Sequence, residues 1–161
     1  MRSVCIDQLF YNEDGTIQEV IATQDGVKQL KNVNPYMLNE AETMAKSFGG
    51  INTTAGENCR YVNDIRNGSW IMVKGVDFGE ESKRTFEAKV ASGTVGGFIE
   101  LHLDSPDGKM IGKARVGNTG GWDKWKNVSA SIPSVGGVHN LFLVFSGDVG
   151  TLMVFDNWMF K

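Results

Sequence analysis

The sequence predicts an all-β chain, a β-sandwich over residues 36–161 preceded by an N-terminal β-hairpin over residues 1–35. Three observations carry this. Twenty glycines stand against three prolines in a chain that is 41% hydrophobic and 22% charged, a turn-rich globular composition. From residue 37 onward, short apolar runs recur at regular spacing, each bounded by Gly, Asn, Asp or Ser clusters. No stretch sustains the 3.6-residue apolar period of a long helix.

The elements follow in order. SVCIDQLFYN and TIQEVIAT read as two strands joined by the turn NEDG, a lone hairpin that is marginal by itself in water. Such a hairpin packs on the sandwich or is the end of another domain. Pro35 marks the boundary, with KNVN ahead of it as a short polar linker. In SWIMVKG, Trp70, Met72 and Lys74 alternate with Ile71, Val73 and Gly75, and Phe86, Ala88 and Val90 alternate with Glu87 and Lys89. Ile99, Leu101 and Leu103 share a face, and SPDG turns the chain into KMIGKARV to make a hairpin. Trp125–Ile132, Val138–Phe145 and Leu152–Phe160 complete the set.

A net charge of −3 with scattered Lys and Arg argues against nucleic acid, which needs a concentrated basic surface. No apolar run approaches the roughly 20 residues of a membrane span, and MRSVCIDQLF lacks the architecture of a signal peptide. Neither a membrane nor a nucleic acid is the expected partner; a neutral, weakly polar ligand is. Cys5 and Cys59 could pair or remain two small free thiols. His102 and His139 lie in strand patterns without HxH or HExxH spacing and read as solvent-facing or locally bonded. No pair of acids is singled out for glycoside hydrolysis, and no GxSxG or phosphate-loop motif is present. The expected protein is not itself an enzyme.

Four pieces point further: LNEAETM, GENCRYVNDIRNGSWIMVKGVDFG, NTGGWDKW and LMVFDNWMF. Taken in this order and spacing, they resemble the family-6 carbohydrate-binding modules over residues 37–161. That resemblance implies a sandwich of jelly-roll type and a non-catalytic hold on a plant-cell-wall hemicellulose such as xylan or arabinoxylan. RSVCIDQLFYNEDGTIQEV resembles the final strands of family-43 glycoside hydrolases. The natural protein would then be a larger, secreted arabinofuranosidase- or xylosidase-like enzyme, with that hydrolase domain as partner in cis.

Proteins hold sugars by stacking aromatic rings on apolar C–H faces and placing hydrogen-bonding groups at the edges. The resemblance assigns an aromatic clamp to Tyr61 and Trp122. Trp122 follows Gly120 and Gly121 in a polar loop, which suits the role, although it could instead fold over the sandwich edge. Tyr61, beside Val62 at a strand start, fits either a sugar contact or a core position with a bonded hydroxyl. Trp70, Trp125 and Trp158 read as core. The family usually places an Asn two residues before the acidic or amide residue of its last strand; here that position is Val154, before Asp156. The missing polar contact is worth about 0.5–1.5 kcal/mol. Asn118, Glu57 or Asn63 would compensate, or the ligand differs, or binding has moved to the concave sheet face, or the module has become a structural piece packed on a hydrolase.

The resemblance also implies a structural Ca²⁺ held by Glu40, Glu42 and Asp156 with a carbonyl near Thr54. Two like charges on the same side of one strand repel, which makes a cation reasonable there.

Overall fold

The structure, a computed structural model, describes residues 6–21, 23, 27, 29–57, 59–80 and 82–161, without the side chain of residue 83. Cys5, and with it the possible Cys5–Cys59 bridge, lies outside the described residues. The chain separates into two compact units, Met1–Lys31 and Asn32–Lys161.

In the first unit the expected NEDG turn forms. Gly15 takes φ +81°, a region that favours glycine, and its N–H donates to Asn12 O at 3.0 Å. Tyr11 pairs with Ile17, and Gln18 N–H donates to Phe10 O at 2.9 Å, so the hairpin is laddered at its tip. The flanking runs 6–10 and 18–21 are not in strands, and Phe10, Ile17 and Ile21 are exposed.

In the second unit, eleven strands are formed by the described residues: β1 (Asn39–Glu40), β2 (Lys46–Phe48), β3 (Asn52–Ala55), β4 (Arg60–Arg66), β5 (Trp70–Asp77), β6 (Ser82–Ser92), β7 (Gly97–Leu103), β8 (Lys109–Val116), β9 (Gly121–Val135), β10 (Val138–Gly147) and β11 (Thr151–Phe160). They make a six-stranded sheet in the order β3-β4-β11-β6-β9, with β1 also on β11, and a five-stranded sheet in the order β2-β5-β10-β7-β8. All named strand pairs are antiparallel. Chain entry into this unit precedes Pro35: Val33 N–H donates to Gly75 O at 2.8 Å and Val33 O accepts from Asp77 N–H at 2.9 Å.

The core lies between the sheets and follows strand alternation. Ile71 and Val73 of β5, Phe86, Ala88 and Val90 of β6, Ile99 and Leu101 of β7 and Leu141, Leu143 and Phe145 of β10 all point inward and are buried. Each large side chain fully buried there contributes on the order of 1.5–3 kcal/mol. Trp158 joins them. Trp70 and Trp125 do not: both are only partly buried, Trp70 because Ile71 and Val73 take the inner face of β5.

β11 carries the irregularity that shapes the outer surface. Phe155 opposes Val90 and Asn157 opposes Lys89, so Asp156 is the extra residue between two consecutive residues of β6. The insertion switches the inward set from Met153 and Phe155 to Trp158 and Phe160.

Candidate functional site

Tyr61, Trp125 and Lys89 meet on the outer face of the six-stranded sheet. Val62 and Val90 turn inward on β4 and β6, which sends Tyr61 and Lys89 outward. On β9, Trp125 comes to Tyr61, their ring centroids 5.5 Å apart and their planes at 67°. With Gly56, Glu57, Cys59 and Asp123 these residues line a hollow of about 480 Å³. Lys89 Nζ stands 5.5 Å from the Trp125 ring centre and 2.8 Å from Asp156 Oδ2. Rings beside carboxylates and an ammonium are the equipment a sugar needs.

The residues expected from sequence are placed as follows. Tyr61 and Glu57 line the hollow, and Thr54 sits in β3 directly opposite Tyr61. Tyr61 makes its ring contact with Trp125, not with Trp122. Trp122 is 42% exposed at the start of β9, with its indole against Gly93. Asn118 Oδ1 accepts the Gly120 N–H at 2.7 Å, so that oxygen shapes the loop. Val154 is buried opposite Ala91. On its other side, the register shift between Met153 and Phe155 leaves Asn63 and Asp64 facing it, with Asp64 at φ +55°. Asn63 Oδ1 is buried there without a hydrogen-bond partner, a free acceptor beside the apolar Val154. Trp125, Lys89 and Asp123 are the site residues that sequence reading missed. Alternation alone could have found Lys89 as an outward residue, but not its neighbours.

The carboxylates of the expected calcium site lie within electrostatic reach of one another. Burial pushes the Glu40 carboxyl above its usual range, the charges of Asp156 and Glu42 push it further, and Lys89 opposes. Lys89 is itself held above the usual lysine value, first by its hydrogen bond to Asp156. Burial, then Asp156, raises the Cys59 thiol. Glu42 Oε2 and Asp156 Oδ1 are buried without hydrogen-bond partners. Orphaned carboxylate oxygens that repel one another are a donor set of the right chemistry for a hard cation. Among the described residues, however, no three such side chains are gathered closely enough to grip one.

Two other surfaces differ from this one. On the outer face of the five-stranded sheet, Phe48 stacks on Trp70 at 5.9 Å and Phe142 meets Trp70 edge-on at 5.3 Å. A hollow of about 570 Å³ is lined by Gly79, Leu103, Asp104, Lys109, Gly137 and His139 among others, without an aromatic platform. There His139 Nδ1 lies 2.8 Å from Asp104 Oδ2, the local bonding expected of it. Burial pushes the Asp104 carboxyl up, but the His139 and Asn140 hydrogen bonds outweigh it and leave the group below its usual range.

Comparison with known proteins agrees with this fold. The family model for carbohydrate binding module (family 6) matches residues 40–161. The chain is 45% identical to an arabinoxylan arabinofuranohydrolase of Bacillus subtilis (strain 168), over 99% of this chain and 32% of that protein. It is 42% identical to an arabinoxylan arabinofuranohydrolase of Paenibacillus polymyxa, over 99% of this chain and 26% of that one. The chain thus spans a third or less of the length of these relatives. A crystal structure of a Bacillus subtilis family 43 arabinoxylan arabinofuranohydrolase in complex with cellotetraose superposes with TM-score 0.86 at 43% identity, covering 96% of this chain and 33% of that one. A family 6 module from Clostridium cellulolyticum in complex with xylose superposes with TM-score 0.76 at 36% identity, covering 80% of this chain and 99% of that one.

Proposed function

The chain belongs to carbohydrate-binding module family 6, and from that premise we propose that it targets a xylan- or arabinoxylan-type hemicellulose on behalf of a parent glycoside hydrolase. The observation that carries the reading is the hollow in which Tyr61 and Trp125 meet beside Lys89, Asp123 and Glu57, with exposed Trp122 two residues further toward the loop end than Asp123's neighbour Lys124. The xylose carried by the Clostridium cellulolyticum module and the substrate named for the two relatives favour a pentose-based chain. Trp122 takes the sugar's apolar face at the loop end, with Tyr61 as the second ring of the clamp, braced edge-on by Trp125. Rings touching edge-on at 5.5 Å leave no slot for a sugar between them, so a sugar stacks on a free ring face. Asn63 and Glu57 supply the polar contacts that Val154 cannot.

The parent would be a secreted arabinofuranosidase- or xylosidase-like enzyme, and the module's service to it is effective concentration on the polymer. The exposed Phe10, Ile17 and Ile21 of the first unit fit packing against that enzyme's hydrolase domain. Affinity electrophoresis against soluble xylan, arabinoxylan and β-glucan tests the reading; retardation by xylans is expected, and none by any of the three would overturn it. In that event Val154, buried and apolar where a polar side chain would meet a sugar, favours a structural module that has lost binding.

A calcium ion held by Glu40, Glu42, Asp156 and the Thr54 carbonyl would be structural, joining the first strand to the last. Lys89 would then share or release Asp156. An ion bound to the folded state alone raises its stability, so the thermal midpoint should fall when calcium is chelated.

A further inference from the structure

Building on the reading of Trp122 as a sugar-contacting ring, we infer that Thr119 and Gly93 are its positioning residues, one setting the loop and the other leaving room for the indole. Thr119 is 8% exposed and Ser92 is buried completely, although both are polar and neither touches the hollow. They are clasped to one another. Thr119 N–H donates to Ser92 O at 2.9 Å, and Ser92 N–H donates to Thr119 Oγ1 at 2.8 Å. The Thr119 hydroxyl in turn faces Ser92 O and Gly121 O, each at 3.1 Å. Ser92 is anchored from behind, its hydroxyl donating to Leu152 O at 2.6 Å.

The clasp joins the last residue of β6 to the loop that opens β9. Beyond Thr119 the chain runs through Gly120 at φ +105° and Gly121 at φ +153°, conformations that L side chains rarely adopt. A segment of two glycines would have many conformations if free. Fixing it on one side through Thr119 and on the other through the Ser92–Gly121 pairing gives Trp122 a single exit. Gly93 completes the seat. A Cβ there would stand 2.8 Å from Trp122 Nε1 and 3.0 Å from Cε2, so the indole lies flush on bare backbone. Any side chain at 93 displaces the ring without asking the backbone for an unusual φ.

The test compares Gly93→Ala, Thr119→Val and Thr119→Ser in the full chain. Binding to soluble xylan is measured alongside the Trp122 indole N–H resonance, which is identified by its loss in Trp122→Phe. Gly93→Ala is expected to shift that resonance and weaken binding roughly tenfold with the thermal midpoint unchanged. Thr119→Val does the same with some loss of stability, and Thr119→Ser restores both readouts. Unaltered resonance and binding in Gly93→Ala, where Trp122→Ala weakens binding, would overturn the inference while leaving the sugar site intact. Undiminished binding by Trp122→Ala would instead remove the reading on which it rests.

Discussion

The two outer faces of the sandwich both carry aromatic rings, and the surroundings of those rings differ. On the five-stranded sheet, Trp70 is stacked by Phe48, itself 61% exposed, and met edge-on by Phe142. Polar side chains nearby are largely paired: Glu100 accepts from Lys113 Nζ and from Ser146 Oγ, each at 2.7 Å, while His102 Nε2, opposite Phe142, is buried without a hydrogen-bond partner. Burial pushes Glu100 up, but these bonds hold its carboxyl below the usual range. On the six-stranded sheet, Tyr61 and Trp125 share one contact beside a hollow, while Asn63 Oδ1, Glu42 Oε2 and Asp156 Oδ1 have no hydrogen-bond partner. Aromatic content does not separate a binding face from a packing face. The six-stranded face differs in setting its ring pair beside a hollow lined by Glu57, Lys89 and Asp123.

The sharpest way to break this contrast is to remove one ring from each face. Trp122→Ala and Trp125→Ala should each weaken xylan binding by about 10- to 100-fold, or about 1.4–2.8 kcal/mol, whereas Trp70→Ala should leave affinity unchanged. Isothermal titration would decide it, and the reverse pattern would move the ligand to the five-stranded face. Trp70→Ala should instead lower the free energy of unfolding by roughly 2 kcal/mol, since it strips Phe48 and Phe142 of their shared partner; a urea titration reads this.

A smaller change sharpens the polar side of the comparison. Val154→Asn places an amide beside Asn63 and should tighten binding by about 0.5–1.5 kcal/mol. Unchanged affinity would show that the sugar does not reach that depth of the sheet. The smallest effect is in pH. Glu40 holds its proton more tightly folded than unfolded, so folding takes up a proton between the ordinary carboxylate value and the raised one. Its contribution to stability therefore falls as pH rises through that window. Calcium should cancel the effect by compensating the charge, so thermal midpoints measured from pH 4 to pH 7 with and without chelator should diverge as pH rises.

Much of this was legible in advance because sheets write their pattern locally. The alternation of Phe86, Ala88 and Val90 against Glu87 and Lys89 specified which residues of β6 enter the core, and the structure keeps that assignment. The family, too, was readable, since NTGGWDKW and LMVFDNWMF are contiguous strings. Trp125 was misread as core because a large apolar ring in a strand is ordinarily buried, while the ring that meets it, Tyr61, comes from β4 on the far side of two intervening strands.

The sequence by itself determined the main strands of the sandwich, the turn glycines and the membership in family 6. Only the tertiary structure decided that Trp125 faces outward to Tyr61, that Lys89 meets Asp156, and that Asn63 stands unpartnered beside Val154. The physical reason is that these contacts are set by pairing across the sheet. Antiparallel neighbours such as β4 with β11 and β6 with β9 are distant in sequence, and the extra residue at Asp156 resets which side chains face out beyond it.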